Sequence, residues 1–265
     1  MSTIKKYELA RKMYVPIKMG ASRSYGGRQQ WFSKETKNMK SYHMHCNGCG
    51  IIALSDLFLY FALTLPDGRK TRAGEVLDTH GSIYREEYMK FAEEIRDQYA
   101  MIFGNSGTFA WQLSYAINSY FKDNDISKKA YFEMALSPLK LLKKMQVMLK
   151  NNEPIILMIG QSWPTSLSKV RKIGIPFFKQ KRCINIGKTA PQSAYAEYQI
   201  AEKNVYGHFV VVTGIIIDQN PKWASQDIML RISSWGEEYY ISYAQYWQFI
   251  RNNSKPWLNG IIELK

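Results

Sequence analysis

The chain has 265 residues and a formal net charge of +14, with 46% hydrophobic and 22% charged residues. That length and balance suit a globular protein with a sizeable core and exclude a disordered, low-complexity or fibrous chain. Three cysteines are too few and too odd for a disulfide scaffold, and no apolar run has the length of a membrane span, the longest (51–63) being broken by Ser55 and Asp56.

The opening MSTIKKYELARKMYV lacks the apolar core of a secretory leader, and the chain reads as soluble and cytoplasmic. Residues 1–48 are polar and aromatic, with a Gly-rich turn at Ser24-Tyr25-Gly26-Gly27, and predict loops and short strands. GIIALSDLFLYFAL (50–63) is apolar almost all round and predicts a buried helix. Pro66, Asp67-Gly68, Gly74 and Gly81 mark a loop over 64–82. Helical spacing follows over 85–103 and 107–121, and again over 137–150, where Ser137-Pro138 makes a cap and first turn.

After Asn151 the texture changes. EPIILMIG (153–160) predicts a strand. A polar stretch, 161–205, holds eight Lys or Arg residues and reads as a surface excursion or a lid. GHFVVVTGIIID (207–218), DIMLRISSW (227–235) and EEYYIS (237–242) predict strands, 244–252 a short helix and 258–264 a last strand. Helices first and strands later argue for an α+β fold with an antiparallel sheet, as one domain over 1–265 with a helical half at about 46–150 and a sheet half at about 151–265. The basic charge is scattered and no nucleic-acid-binding motif is present.

The chemistry concentrates at HCNGCG (45–50), where two cysteines and two glycines precede the buried helix. A thiol becomes a useful nucleophile at a helix N-terminus beside an imidazole. Cys49 meets the first condition, with Asn47 available as a cap. His208, opening a strand after Gly207, is the histidine best placed to meet the second. The alternatives are a buried inert thiol, or a zinc site from His43, His45, Cys46 and Cys49, for which so short a loop leaves little room to wrap a tetrahedral ion. Trp235 and the tyrosines after it read as sheet packing, and Asp56 as a buried carboxylate satisfied by hydrogen bonds or, alternatively, as a catalytic group.

The order of parts resembles papain-like cysteine peptidases, and among them the peptidases that mature bacteriocins by cutting after a double glycine. CNGCG (46–50) is similar to the papain pattern of two cysteines spaced by two residues. CGIIAL (49–54) looks like the bacteriocin-type motif, and NNEPIILMIG (151–160) and GHFVVVTGI (207–215) resemble the strands that lead to and carry the catalytic histidine. SSWG (233–236) falls where the family carries Asn-Ser-Trp-Gly.

The resemblance implies a nucleophile helix packed on a C-terminal antiparallel sheet. Cys49 would be the nucleophile, His208 the base and then the acid, and Ser233 would stand at the position of the orienting Asn or Asp. The family's oxyanion glutamine has no counterpart six residues before Cys49, where His43 stands. Gln30 is the candidate donor, with 33–45 looping out between. The implied reaction is hydrolysis of a peptide-like amide through a thioester, with a peptide or protein substrate, no cofactor and no metal. A catalytically silent domain that binds a peptide or protein partner is the alternative reading, and acyl transfer to an amine a third.

Overall fold

The computed structural model describes residues 3–161, 173–180, 198–219 and 227–265. Cys183 and most of the polar stretch read as a surface excursion or lid lie outside the described residues. In chain order the elements are β1 (Thr3–Glu8), β2 (Pro16–Met19), β3 (Ser22–Tyr25), α1 (Met39–Asn47), α2 (Cys49–Thr64), α3 (Arg72–Glu75), β4 (Ile83–Tyr84), α4 (Arg85–Gln98) and α5 (Ala110–Asp123). There follow β5 (Ala130–Met134), α6 (Pro138–Lys150), β6 (Ile155–Ile159), β7 (Ile175–Gln180), β8 (Tyr198–Val205), β9 (His208–Gln219), β10 (Asp227–Ser234), β11 (Glu237–Ser242), α7 (Tyr243–Asn253) and β12 (Gly260–Leu264).

Helices and an antiparallel sheet make the α+β class that the segregated pattern predicts. The large sheet runs β5-β12-β6-β9-β10-β11-β7-β8, with β1 added beside β9. The strand β9 is long enough to serve two neighbours. Its first half pairs with β6 (Ile159 opposite His208) and its second half with β1 (Glu8 opposite Gly214). Between the halves sits a bulge: Arg231 of β10 faces Gly214 but Ile232 faces Val212, so Thr213 is an extra residue. Segregation is therefore incomplete, because β1 and β5 come from the front of the chain and still join this sheet.

The helix α2 is buried from Gly50 to Ala62, which matches a segment apolar on all sides. It packs on α4 and α5, where Phe58 stacks on Tyr120 at 3.7 Å, and on β9. No single helix among the described residues is long and apolar enough to cross a membrane; α1 and α2 together would be, but they bend by 82° at Gly48. Glycine is required at that bend, since a Cβ on residue 48 would lie 2.2 Å from the Met44 carbonyl oxygen. The sharp break makes Cys49 the first residue of a new helix instead of the eleventh of an old one.

Four local expectations need correction, the first being that the stretch 64–82, read as a loop, contains α3. Residues 39–47 form α1, although the polar, aromatic run looked irregular; Asn38 caps it by accepting the Ser41 N–H at 3.1 Å. The segment 161–205 contains β7 and β8. Asn47 is no cap for α2, which has no side-chain cap; its amide instead donates to the Gly104 carbonyl at 3.0 Å.

Candidate active site

Cys49, Ile52, Ala53 and Asp56 fall at helical positions i, i+3, i+4 and i+7, so one face of α2 presents all four to a small cavity. The opposite wall is the start of β9, from His208 to Val211, and the end of β10, Ser233 to Trp235. Gly27 and Gln29 close it. The cavity measures about 20 Å³, room for about one water, so a substrate would reach Cys49 from outside.

Cys49 is partly accessible and unpaired, as is the more exposed Cys46. Burial of its surroundings pushes the Cys49 thiol up. Backbone N–H groups of Phe209, Gly50 and Cys49 itself act against that shift. Phe209 directly follows His208, so the sulfur lies against the strand that carries the imidazole. The His208 ring is buried, and desolvation lowers its pKa to about 4. Both groups are therefore neutral at neutral pH, a thiol and an imidazole in place of an ion pair.

The imidazole is held on two sides. Its Nε2 is 2.9 Å from Ser234 Oγ, and the Trp235 indole stacks on it with ring centroids 4.7 Å apart. Trp235 and Gly236 join β10 to β11 with positive φ angles of 49° and 76°, the two-residue turn whose twist suits a hairpin. A tryptophan in that conformation costs about 1–3 kcal/mol. The turn aims the indole at the imidazole, which is more than the sheet packing its sequence suggested.

Ser233 is not the residue on the ring. Side chains alternate along a strand, and the register places Ser233 opposite Val211. Ser234, one residue on, shares a face with His208. Ser233 Oγ donates instead to the Tyr25 carbonyl at 2.6 Å. Substituting each serine separates the roles. Ser234→Ala should change the NMR titration and tautomer balance of His208. Ser233→Ala should leave them alone while costing about 1–3 kcal/mol for the buried carbonyl it strands. Equal effects of the two variants on the imidazole would contradict this assignment.

The glutamine expectation also moves by one residue. Gln30 is exposed, whereas Gln29 lines the cavity. Both sit in a 3₁₀ turn (Gln29–Trp31), where consecutive side chains point about 120° apart and only one can face inward. The Gln29 amide donates to the carbonyls of His45 at 2.9 Å and Cys46 at 3.3 Å. Its hydrogens bind the end of α1 and do not point to an oxyanion, while its buried Oε1 has no partner among the described residues.

The other histidines lie elsewhere: His45 Nδ1 is 2.8 Å from the Phe32 carbonyl and His80 is exposed in a loop. Among the described residues no three His, Cys, Asp or Glu side chains are grouped to hold a metal, the His43, His45, Cys46 and Cys49 set included.

Sequence reading named Asp56 but not its partners. Gly27 N–H donates to both carboxylate oxygens at 3.0 Å, and the Tyr88 hydroxyl donates to Oδ1 at 2.7 Å. Ser234 was not singled out, and Gln30 was preferred to its neighbour Gln29. For Gln29 the doubled Gly26-Gly27 just upstream was the available signal, since a Cβ on Gly27 would meet the Tyr88 hydroxyl at 1.9 Å. Comparison with models of protein families, with curated proteins and with solved structures finds no match.

Proposed function

We propose that this protein is a papain-like cysteine hydrolase, a peptidase or amidase, with Cys49 as nucleophile and His208 as base. One observation carries the reading: a cysteine that begins a buried helix shares a small cavity with an imidazole whose Nε2 is occupied by a serine hydroxyl. In the tautomer whose Nε2–H donates to Ser234 Oγ, Nδ1 is the nitrogen left to take a proton.

The resting pair is neutral, so the steps run by general base catalysis. His208 removes the thiol proton as sulfur attacks the amide carbon. The carbonyl electrons move to oxygen and return as the C–N bond breaks. The imidazolium gives its proton to the departing amine, leaving a thioester on Cys49. Water, deprotonated by His208, then hydrolyses that thioester. Backbone N–H groups at the start of α2 are the natural donors to the oxyanion, such donors being worth roughly 3 kcal/mol each.

Two observations favour the silent, peptide-binding alternative. Burial pushes the Cys49 thiol up, and the Gln29 amide hydrogens are spent on backbone carbonyls. Incubation with activated peptide esters separates the readings. A hydrolase forms an acyl adduct on Cys49, visible by mass spectrometry, that decays with product release and is missing in Cys49→Ala. Binding without any adduct would leave the silent domain, and decay only on adding an amine would indicate transfer to nitrogen.

A further inference from the structure

We propose that Asp56 is a positioning residue of this site: it clamps the Gly26-Gly27 strap against the nucleophile helix, and the clamp changes when its carboxyl gains or loses a proton. The inference rests on the site proposed above and adds a third ionisable group to it.

The geometry is a grip from two sides. From α2, Asp56 takes the Gly27 N–H on both oxygens. From β10, Ser233 takes the Tyr25 carbonyl. The strap between them has no room for a side chain. A Cβ on Gly26, where φ is 90°, would lie 2.4 Å from Asp56 Oδ2 and 2.5 Å from Ser233 Oγ. Two residues beyond the strap stands Gln29, whose amide ties the end of α1 next to the Gly48 break. Asp56 thus connects, through the strap and Gln29, to the turn that starts the nucleophile helix. It also lies two turns below Cys49 on the same cavity-lining face.

The groups around Asp56 leave it as the member of the set that titrates near neutrality. From α4 comes Tyr88, and from the segment before β2 comes Tyr14, whose buried hydroxyl has no partner among the described residues. Burial first, and the Asp56 charge second, push both phenols well above their ordinary range. The sheet contributes His208 and the uncharged Ser233, and α2 itself contributes Cys49. No lysine or arginine among the described residues pairs with the carboxylate. Burial raises its pKa to about 7, against the pull of the Tyr88 and Gly27 hydrogen bonds. Ionised, it accepts three hydrogen bonds. Protonated, one oxygen becomes a donor and can no longer accept, so the grip on Gly27 and Tyr88 must change.

The test reads the sulfur without requiring turnover. Iodoacetamide alkylation of Cys49 would be followed against pH, with an infrared titration of the protonated carboxyl band alongside. A thiol below its pKa alkylates about tenfold faster per pH unit. The expected result is a departure from that slope centred near neutrality, matched by loss of the carboxyl band. Asp56→Asn should lose both. Tyr88→Phe should shift both to higher pH, because it deletes a hydrogen bond to the ionised form. Cys49→Ala should keep the band, which separates this proposal from the hydrolase reading: a protein that forms no acyl adduct could still show the coupled titration. An unbroken alkylation slope in the wild type, or a break that persists in Asp56→Asn, would overturn it.

Discussion

His208→Ala is expected to slow acylation of Cys49 by about 10²–10⁴-fold, the usual share of a positioned base. The effect should be large because the thiol is not already ionised. Where cysteine and histidine rest as an ion pair, the nucleophile exists before substrate arrives. Here burial holds the thiol up and the imidazole down, so the proton must leave sulfur during attack. Two signatures follow. Below neutrality wild-type acylation should not fall tenfold per pH unit as a lone thiol would; apart from the change near pH 7 tied to Asp56, it should collapse near pH 4, where His208 takes up its proton. The variant should recover rate in alkali as thiolate forms without help. Single-turnover acylation with an activated ester measures both. A variant within a factor of a few of wild type at neutral pH would remove His208 from the mechanism.

The second large effect is on stability. In the unfolded chain His208 holds its proton up to about pH 6.5, but in the fold only up to about 4. Between those values the unfolded state binds more protons, so stability rises with pH, by about 3 kcal/mol in total. Asp56 works the other way. It is protonated up to about 7 in the fold and only to 3.8 unfolded, so stability falls as pH rises between them, by about 4 kcal/mol. The two slopes nearly cancel in the wild type. Each single variant should expose the other. His208→Gln should lose about 4 kcal/mol on going from pH 4 to pH 7, and Asp56→Asn should gain about 3 kcal/mol over the same range. Urea denaturation at several pH values checks this, and parallel pH profiles for all three proteins would refute it.

Much of the fold could be read from residue order. The all-round apolar segment after Cys49 could only be a buried helix, and β-branched runs with turn signals located β6, β9, β10 and β11. What failed did so for physical reasons. The helix α1 has few apolar positions and depends on its Asn38 cap and on Gln29 binding its last carbonyls, neither visible as periodicity. The strand β8 is polar and exposed along most of its length, so it lacks the alternation that marks a strand, while β7 (IPFFKQ) is a short alternating run with a proline in second place, set inside a polar stretch. At the site, Cys49 and His208 were legible because their local settings, a helix start and a strand start, are encoded nearby. Ser234 and Gln29 were not. Each sits beside a residue of the same type, and the choice between neighbours is made by strand register or by a 3₁₀ turn, set by contacts far along the chain.

The bulge at Thr213 bears on how this chain could change length. The residues on either side of it, Val212 and Gly214, already point to opposite faces, as adjacent residues in an unbroken strand would. The extra unit is therefore spare as far as the ladder is concerned. Its employment is lateral: its hydroxyl receives the Tyr25 phenol at 3.0 Å and the Arg231 guanidinium at 3.3 Å. A homologue one residue shorter at this point would keep the imidazole and the second half of the strand on their present sides. It would surrender one of the tethers between the N-terminal segment and the sheet, leaving the β1 pairing and the Ser233–Tyr25 bond in place.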